Sequence, residues 1–321
     1  MLLQSTDYQS ILHQNMRYLH LLLLFGCTSL FAQQVPIFSQ LFYNKILSNP
    51  GAAGSTGLPC FTAFHRQQWA GLEGAPVTDA LSFNSPLLAG RVGVGLTVAN
   101  EQIGFFSSTS AQLAYAYRVP MAGGSLGIGL HGSMNRFAAD VSEVRTISGS
   151  VSGDEALMEP SLAYNLGMGA HFENERFFVG VAVPQLLDRG QANGQVRHVF
   201  ANAGGVLELS PKLRMRSAAA VRVVGNAPPS MDLYLGFGFT EDARLWLGST
   251  LRMSHTQNGL GGDALVVLGQ YQITERLRAG LAYDMGLGAV RRGNVGSFEL
   301  MLEYCFIKAA VPEKVLRPRY F

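Results

Sequence analysis

From residue 60 onward, apolar residues alternate one for one with Gly, Ser, Thr or charged residues, in fourteen successive segments centred near 64, 81, 96, 114, 130, 166, 180, 203, 218, 235, 249, 267, 281 and 300. Strict period two describes an extended strand whose two faces meet different surroundings, because successive side chains point to opposite sides. Leu233, Leu235, Phe237 and Phe239 share one face, and Asp232, Tyr234, Gly236 and Gly238 share the other. Leu277, Ala279, Leu281 and Tyr283 likewise oppose Arg278, Gly280, Ala282 and Asp284. Helical and βαβ architectures are excluded, and an all-β chain with one greasy and one wet face per strand remains.

The connections alternate in length. LLAGR, PMAGGS, FENER, LSPK, TEDAR and ITER follow the even-numbered segments, whereas QQWAGLEGAP, NEQIGFFSS, residues 136–159, LLDRGQANGQVR, SHTQNGLGG and MGLGAVRRG follow odd-numbered ones, where only GNAPPS is short. An even number of amphipathic antiparallel strands with turns sorted in this way is the pattern of a transmembrane outer-membrane barrel, with short turns in the periplasm and long loops outside. A soluble β-protein would need a charged outer coat, yet only 14% of residues are charged against the usual quarter or so. The net charge of +2 also excludes the basic footprint of a nucleic-acid binder. No run past residue 33 reaches the roughly 18 apolar residues of a membrane helix.

On the wet face, Arg214, Arg216, Arg222, Asp232, Arg244, Arg252, Arg278, Asp284, Glu299 and Glu303 are candidate lumen charges, both signs being available to pair across a narrow interior. Gly93, Gly95, Gly127, Gly129, Gly167, Gly169, Gly236 and Gly238 fall on the same face and leave room for something inside. Lumen-face changes such as Gly236→Ser are therefore expected to be tolerated. Tyr115, Tyr117, Tyr271, Tyr283 and Tyr304 lie on the greasy face, where aromatic girdles sit.

Met16-Arg17, an apolar run over residues 19–31 and a small Ala32 before Gln33 make a signal peptide of residues 1–32, with Met16 the expected start and Gln33 the first mature residue. Leu24-Phe25-Gly26-Cys27 resembles a lipobox and is the competing processing site. Residues 33–58 then read as neither strand nor helix and are assigned to a periplasmic or plugging segment, 59–306 to the barrel, and 307–321 to a periplasmic tail. Closure of an even-stranded barrel brings its last strand to its first. Cys60, which opens the first segment, and Cys305, which closes the last, are therefore expected to be neighbours at the periplasmic rim.

Other motifs carry little chemistry. A GxGxxG string over residues 127–132 and a GxSxG string over 123–127 lie in a strand and its turn, not before a helix. His65, His131, His171, His198 and His255 show no metal-ligand spacing, and no cysteine pair stands at CxxC. No catalytic residue, metal or cofactor is expected.

Residues 36–54, PIFSQLFYNKILSNPGAAG, and 66–78, RQQWAGLEGAPVT, resemble the opening of type IX secretion system membrane proteins of the PorP/SprF family. The resemblance continues through Pro160-Ser-Leu-Ala-Tyr-Asn, Leu245-Trp-Leu-Gly248 with Arg252, Ala282-Tyr-Asp284, Gly296-Ser-Phe-Glu299 and the final Pro318-Arg-Tyr-Phe. Gly51 and Leu251 depart from the usual pattern. The resemblance implies a non-enzymatic outer-membrane component of the type IX secretion and gliding machinery. It would scaffold the export apparatus through periplasmic components, or anchor or export a secreted surface adhesin; a diffusion channel for small solutes is the alternative. Arg66, Gln68 and Trp69, with Arg319, Tyr320 and Phe321 of the tail, are candidate partner-docking residues. For Arg66, Gln68 and Trp69 a packed loop in the barrel mouth is the competing reading.

Overall fold

A computed structural model of the chain describes residues 37–121, 123–140, 160–187, 197–225, 227–240, 242–256, 259–287 and 295–306. The expected signal peptide with Cys27, the expected first mature residue Gln33, and the tail with Arg319, Tyr320 and Phe321 lie outside the described residues.

The strands are β1 (Cys60–Gln67), β2 (Val77–Leu87), β3 (Val92–Ile103), β4 (Phe106–Met121), β5 (Gly124–Ala139), β6 (Ser161–Asn174), β7 (Phe177–Val183), β8 (His198–Ser210), β9 (Leu213–Val224), β10 (Ser230–Phe239), β11 (Leu245–Thr256), β12 (Gly259–Gln272), β13 (Leu277–Gly286) and β14 (Ser297–Cys305). Every expected centre falls inside its strand. The fourteen close into one antiparallel barrel, each pairing with its sequence neighbours and β14 returning to β1. Alternation sorts the faces as the pattern requires: Leu233 and Leu235 on β10 point outward, 41% and 45% exposed, while Tyr234 between them is 3% exposed.

Two connections differ from expectation. The stretch around NEQIGFFSS is a two-residue turn, Gly104-Phe105, because β3 runs to Ile103 and β4 begins at Phe106. SHTQNGLGG is also mostly strand, with the β11–β12 ladder continuing to the Thr256–Gly259 pair. Hydrocarbon is crossed by about 9–11 tilted residues, and β4 and β5 have 16 each. Beyond the bilayer both faces of a strand can be polar, as at Asn100, Gln102, Ser108 and Ser110, so the alternation fades while the hydrogen-bond ladder does not.

At the seam Cys60 stands directly opposite Cys305, and the two form a disulfide with Cα atoms 4.0 Å apart. Both cysteines point inward at the short-turn rim and are buried.

Residues 37–58 fill the lumen. The segment makes three single 3-10 turns, Leu41–Tyr43, Lys45–Leu47 and Pro50–Ala52, the last started by Asn49, whose side chain accepts a hydrogen bond from Gly51 N with Pro50 at the first position. Phe38, Leu41, Phe42 and Tyr43 form one apolar cluster with Phe64, Phe178, Tyr234, Val266 and Leu268 of the wall. The inner face is thus not uniformly wet: on β12, Val266 and Leu268 are buried against the plug while Val267 points outward. The wall is apolar where it meets apolar filling, which is how any protein core is stabilised.

The plug has a direction. Ser39 sits beside Arg66, Asp284 and Glu299, which lie toward the long-loop ends of β1, β13 and β14, whereas Pro59 leads into Cys60 at the short-turn rim. The first described residue, Ile37, is therefore on the long-loop side of the lumen, and the last, Phe306, is at the short-turn rim, its N–H donating to Pro59 O.

Candidate functional site

The plug is held to the wall by three groups of contacts. The first is a chain of alternating charges. Arg222 Nη2 donates to Asp232 Oδ2 at 2.9 Å, and Arg252 links Asp232 (Nε to Oδ1, 3.1 Å) to Asp284 (Nη1 to Oδ2, 3.3 Å). Arg66 then links Asp284 (Nη2 to Oδ2, 2.6 Å) to Glu299 (Nη1 to Oε2, 3.2 Å). Three guanidinium groups and three carboxylates from β9, β10, β11, β13, β1 and β14 make a neutral set. Neutrality matters because an uncompensated charge this deeply buried costs several kcal/mol. The plug completes the chain: Ser39 N and Gln40 N donate to the two Glu299 oxygens at 2.6 and 2.9 Å, and Ser39 Oγ bridges Arg66 and Asp284 at 2.6 Å each.

The second group surrounds Tyr43. Its hydroxyl pairs with that of Tyr234 at 2.7 Å. The Arg216 guanidinium lies between the Tyr43 and Trp246 rings, 4.7 and 3.9 Å from their centroids, so π faces stabilise a fully buried cation. Arg278, which also approaches the Tyr43 ring, pairs with Glu303 at 2.9 Å. Nearby, Gln270 Nε2 donates to Gln40 Oε1 at 2.9 Å.

The third group holds the end nearest the short-turn rim. Glu173 on β6 receives Arg118 of β4 at 2.8 Å and Lys45 of the plug at 3.4 Å, and the Lys45 ammonium also lies over the Phe178 ring. Asn49 Nδ2 donates to Ala170 O, and Gly54 N to Asn84 Oδ1. Between these bonds the plug backbone lies against inward glycines. A methyl group on Gly51 would stand 2.8 Å from Gly127 O and 2.9 Å from Gly169 O, and one on Gly93, Gly127 or Gly129 would overlap plug backbone. Gly93, Gly127 and Gly129 thus leave the plug backbone room to approach the wall.

Several sequence-derived assignments change here. Arg66 is 2% exposed, at an inward position of β1 between Asp284 and Glu299, packed rather than presented at the surface. Gln68 is partly buried, its N–H donating to Pro76 O, and Trp69 is 38% exposed in the β1–β2 loop, with its N–H on Ser297 Oγ. Arg216, Arg222, Asp232, Arg252, Arg278, Asp284, Glu299 and Glu303 are buried on the inner face of the wall. Arg214 lies near the rim, paired with an exposed Glu208. Arg244 is not a lumen charge: it shares the inward parity of Trp246, but it precedes β11, is half exposed in the turn and faces Asp242 at 3.5 Å. Gly236 is not free space either, since a side chain there would meet the Tyr234 hydroxyl.

Sequence reasoning passed over Ser39, Gln40, Tyr43, Lys45, Asn49, Arg118, Glu173 and Trp246 as site residues. The available signal was the string PIFSQ and NPGAAG itself, whose polar members are the ones that bond to the wall. GxGxxG and GxSxG fall in β5 and the turn before it. Among the described residues no three His, Cys, Asp or Glu side chains gather as a metal site.

A closed, fourteen-stranded antiparallel barrel with an apolar outer face and buried charges inside is an outer-membrane β-barrel. The family model of the type IX secretion system membrane protein PorP/SprF matches residues 30–304, and the chain belongs to that family. No curated protein matches its sequence. Among solved structures it is similar to the outer membrane protein Omp33 of Acinetobacter baumannii, at 12% identity and a TM-score of 0.46, over 78% of this chain and 100% of that one. It is also similar to the KdgM porin, at 9% identity and a TM-score of 0.39 over 77% and 99%, and to a Rhodopseudomonas blastica porin triple mutant, at 11% and 0.36 over 78% and 99%.

Proposed function

We propose that the protein is a non-enzymatic anchor of the type IX secretion machinery. Its long-loop face holds a secreted surface protein outside the cell, and its short-turn face meets periplasmic components of the apparatus. One observation carries this reading: the lumen is filled from within by residues 37–58, and the filling is bonded directly to nine of the fourteen strands, β1, β2, β4, β6, β7, β10, β12, β13 and β14. A wide solute path requires an empty lumen, whereas a rigid holder benefits from a packed one, because a partner binding to a pre-ordered rim loses less conformational entropy. The exposed Trp69 and Leu72 of the β1–β2 loop and Phe105 of the β3–β4 turn supply apolar contacts at the long-loop rim.

The test pairs two measurements on protein from native membranes. Single-channel recording in a planar bilayer should show no steady conductance, and mild detergent extraction should bring down a secreted protein together with periplasmic type IX components. Steady open-channel conductance with no copurifying protein would establish the diffusion channel in its place.

A further inference from the structure

On the outer face of the barrel one hydrogen-bonded row changes character. Leu281 on β13 stands opposite Leu300 on β14, Leu300 opposite His65 on β1, and His65 opposite Asp79 on β2, beyond which the row climbs to Asn100 of β3 at the bilayer edge. All of these side chains are exposed on the outside of the wall. Leu281 and Leu300 are what hydrocarbon requires. His65 and Asp79 are not: they form a hydrogen-bonded pair, Nδ1 to Oδ1 at 2.7 Å, with 51% and 61% of their side chains exposed.

The pair lies at hydrocarbon depth. Phe61 and Phe83 stand opposite each other near the short-turn rim with ring centroids 4.7 Å apart, and with Tyr304 and Phe306 beside them they make the aromatic girdle of that side. His65 and Asp79 each stand four residues nearer the long loops on the same strands. At a rise of ~3.3 Å and a tilt of ~40° this is about 10 Å above the girdle, inside an apolar band ~25 Å tall. Both side chains are too short to reach either headgroup layer, and a lipid phosphate would meet the Asp79 carboxylate. An ionisable pair facing lipid is costly, and such residues mark functional surfaces. Their contact uses one polar atom of each, so His65 Nε2 and Asp79 Oδ2 have no partner among the described residues. Ala63 and Leu81, the next outward pair below, are apolar, and Ala63 is small enough to let another wall approach. A patch with one group of each sign on such a background is complementary to itself under a two-fold rotation, the condition for an isologous contact.

We propose that the outer face of β1 and β2 is the contact between two copies of this chain in the outer membrane, His65 Nε2 of each copy donating to Asp79 Oδ2 of the other. The two pairs then close into a ring of alternating imidazoles and carboxylates, neutral when both imidazoles are protonated, and no charge is left facing lipid. Strands ~4.8 Å apart and tilted by ~40° put His65 and Asp79 within about 3 Å of the same height. A two-fold axis along the membrane normal therefore brings each side chain opposite its counterpart.

The experiment coexpresses two differently tagged copies of the full chain, each carrying Ala63→Cys beside the pair, and treats native membranes with a short bifunctional maleimide. Cys60 and Cys305 are buried and disulfide-bonded, so they do not react. A crosslinked product bearing both tags is expected, and none from Leu235→Cys on the outward face of β10. Adding His65→Leu and Asp79→Leu leaves an apolar face suited to lipid. It should lower the two-tag product about tenfold or more, the loss of two symmetry-related hydrogen-bonded contacts within a membrane, with unchanged heat-modifiable mobility of the single barrel. No two-tag product from a folded Ala63→Cys chain, an equal yield from Leu235→Cys, or a yield that survives the two leucines overturns the proposal. Loss of folded mobility in the leucine variant overturns it as well, since the pair would then serve the lone barrel. A product joining the chain to a different membrane protein overturns it in favour of a contact between unlike chains.

Discussion

Removing Arg66 tests whether the plug is clamped by charge. Arg66 is 2% exposed and contacts Asp284, Glu299 and the Ser39 hydroxyl. Arg66→Met leaves two guanidinium groups facing three carboxylates, all buried, and breaking a buried pair in this way costs about 3–5 kcal/mol. Asp284 keeps Arg252 and Ser39, so the excess charge falls on Glu299, which retains only the backbone N–H groups of Ser39 and Gln40. Adding Glu299→Gln restores equal numbers of each sign, and the double variant should recover more than half of the loss. Urea unfolding of the barrel in lipid vesicles measures this directly. One of the two tryptophans, Trp246, stacks on Arg216 beside the plug and reports its release by fluorescence. The same samples in a planar bilayer should show intermittent conductance for Arg66→Met, and less for the double variant. A single variant that unfolds at the parent's urea concentration and never conducts would refute the clamp. A double variant no more stable than the single one would refute the charge count.

Other outcomes follow from the same geometry. Cys60→Ser should destabilise the barrel by up to about 5.5 kcal/mol, the chain-entropy value for a closed loop of 245 residues, read as a lower heat-modification temperature that reducing agent reproduces in the parent. Leu281→Arg places a charge on the outward face, where Leu281 is 62% exposed, and should cost about 2–4 kcal/mol near the bilayer midplane in a vesicle-refolding assay. Gly129→Val, whose side chain would overlap Pro50, should displace the plug and open conductance while the barrel still resists unboiled electrophoresis. Gly236→Ser, tolerable by face alone, should shift the Tyr43–Tyr234 contact and lower stability by about 1–3 kcal/mol as an overpacked site.

The strand number, the closure of β14 on β1, the outward leucines and the meeting of Cys60 with Cys305 were all legible in the sequence. They depend on period two and on chain order, and the boundary between hydrocarbon and interior imposes a strictly local pattern on every strand. That pattern stops at the bilayer edge, which is why the β3–β4 and β11–β12 hairpins were longer than their hydropathy. Parity also cannot give height in the wall: Arg244 and Arg252 both have inward parity, yet one ends in a turn and the other joins Asp232 to Asp284. Only the tertiary structure decided which cation meets which carboxylate. Arg66 reaches Asp284 across 218 positions and Ser39 reaches Glu299 across 260, partnerships set by strand stagger and by the plug that fills the lumen. Low-dielectric burial then makes those pairings obligatory, since a buried charge needs an opposite charge or, as at Arg216, aromatic faces within a few ångströms.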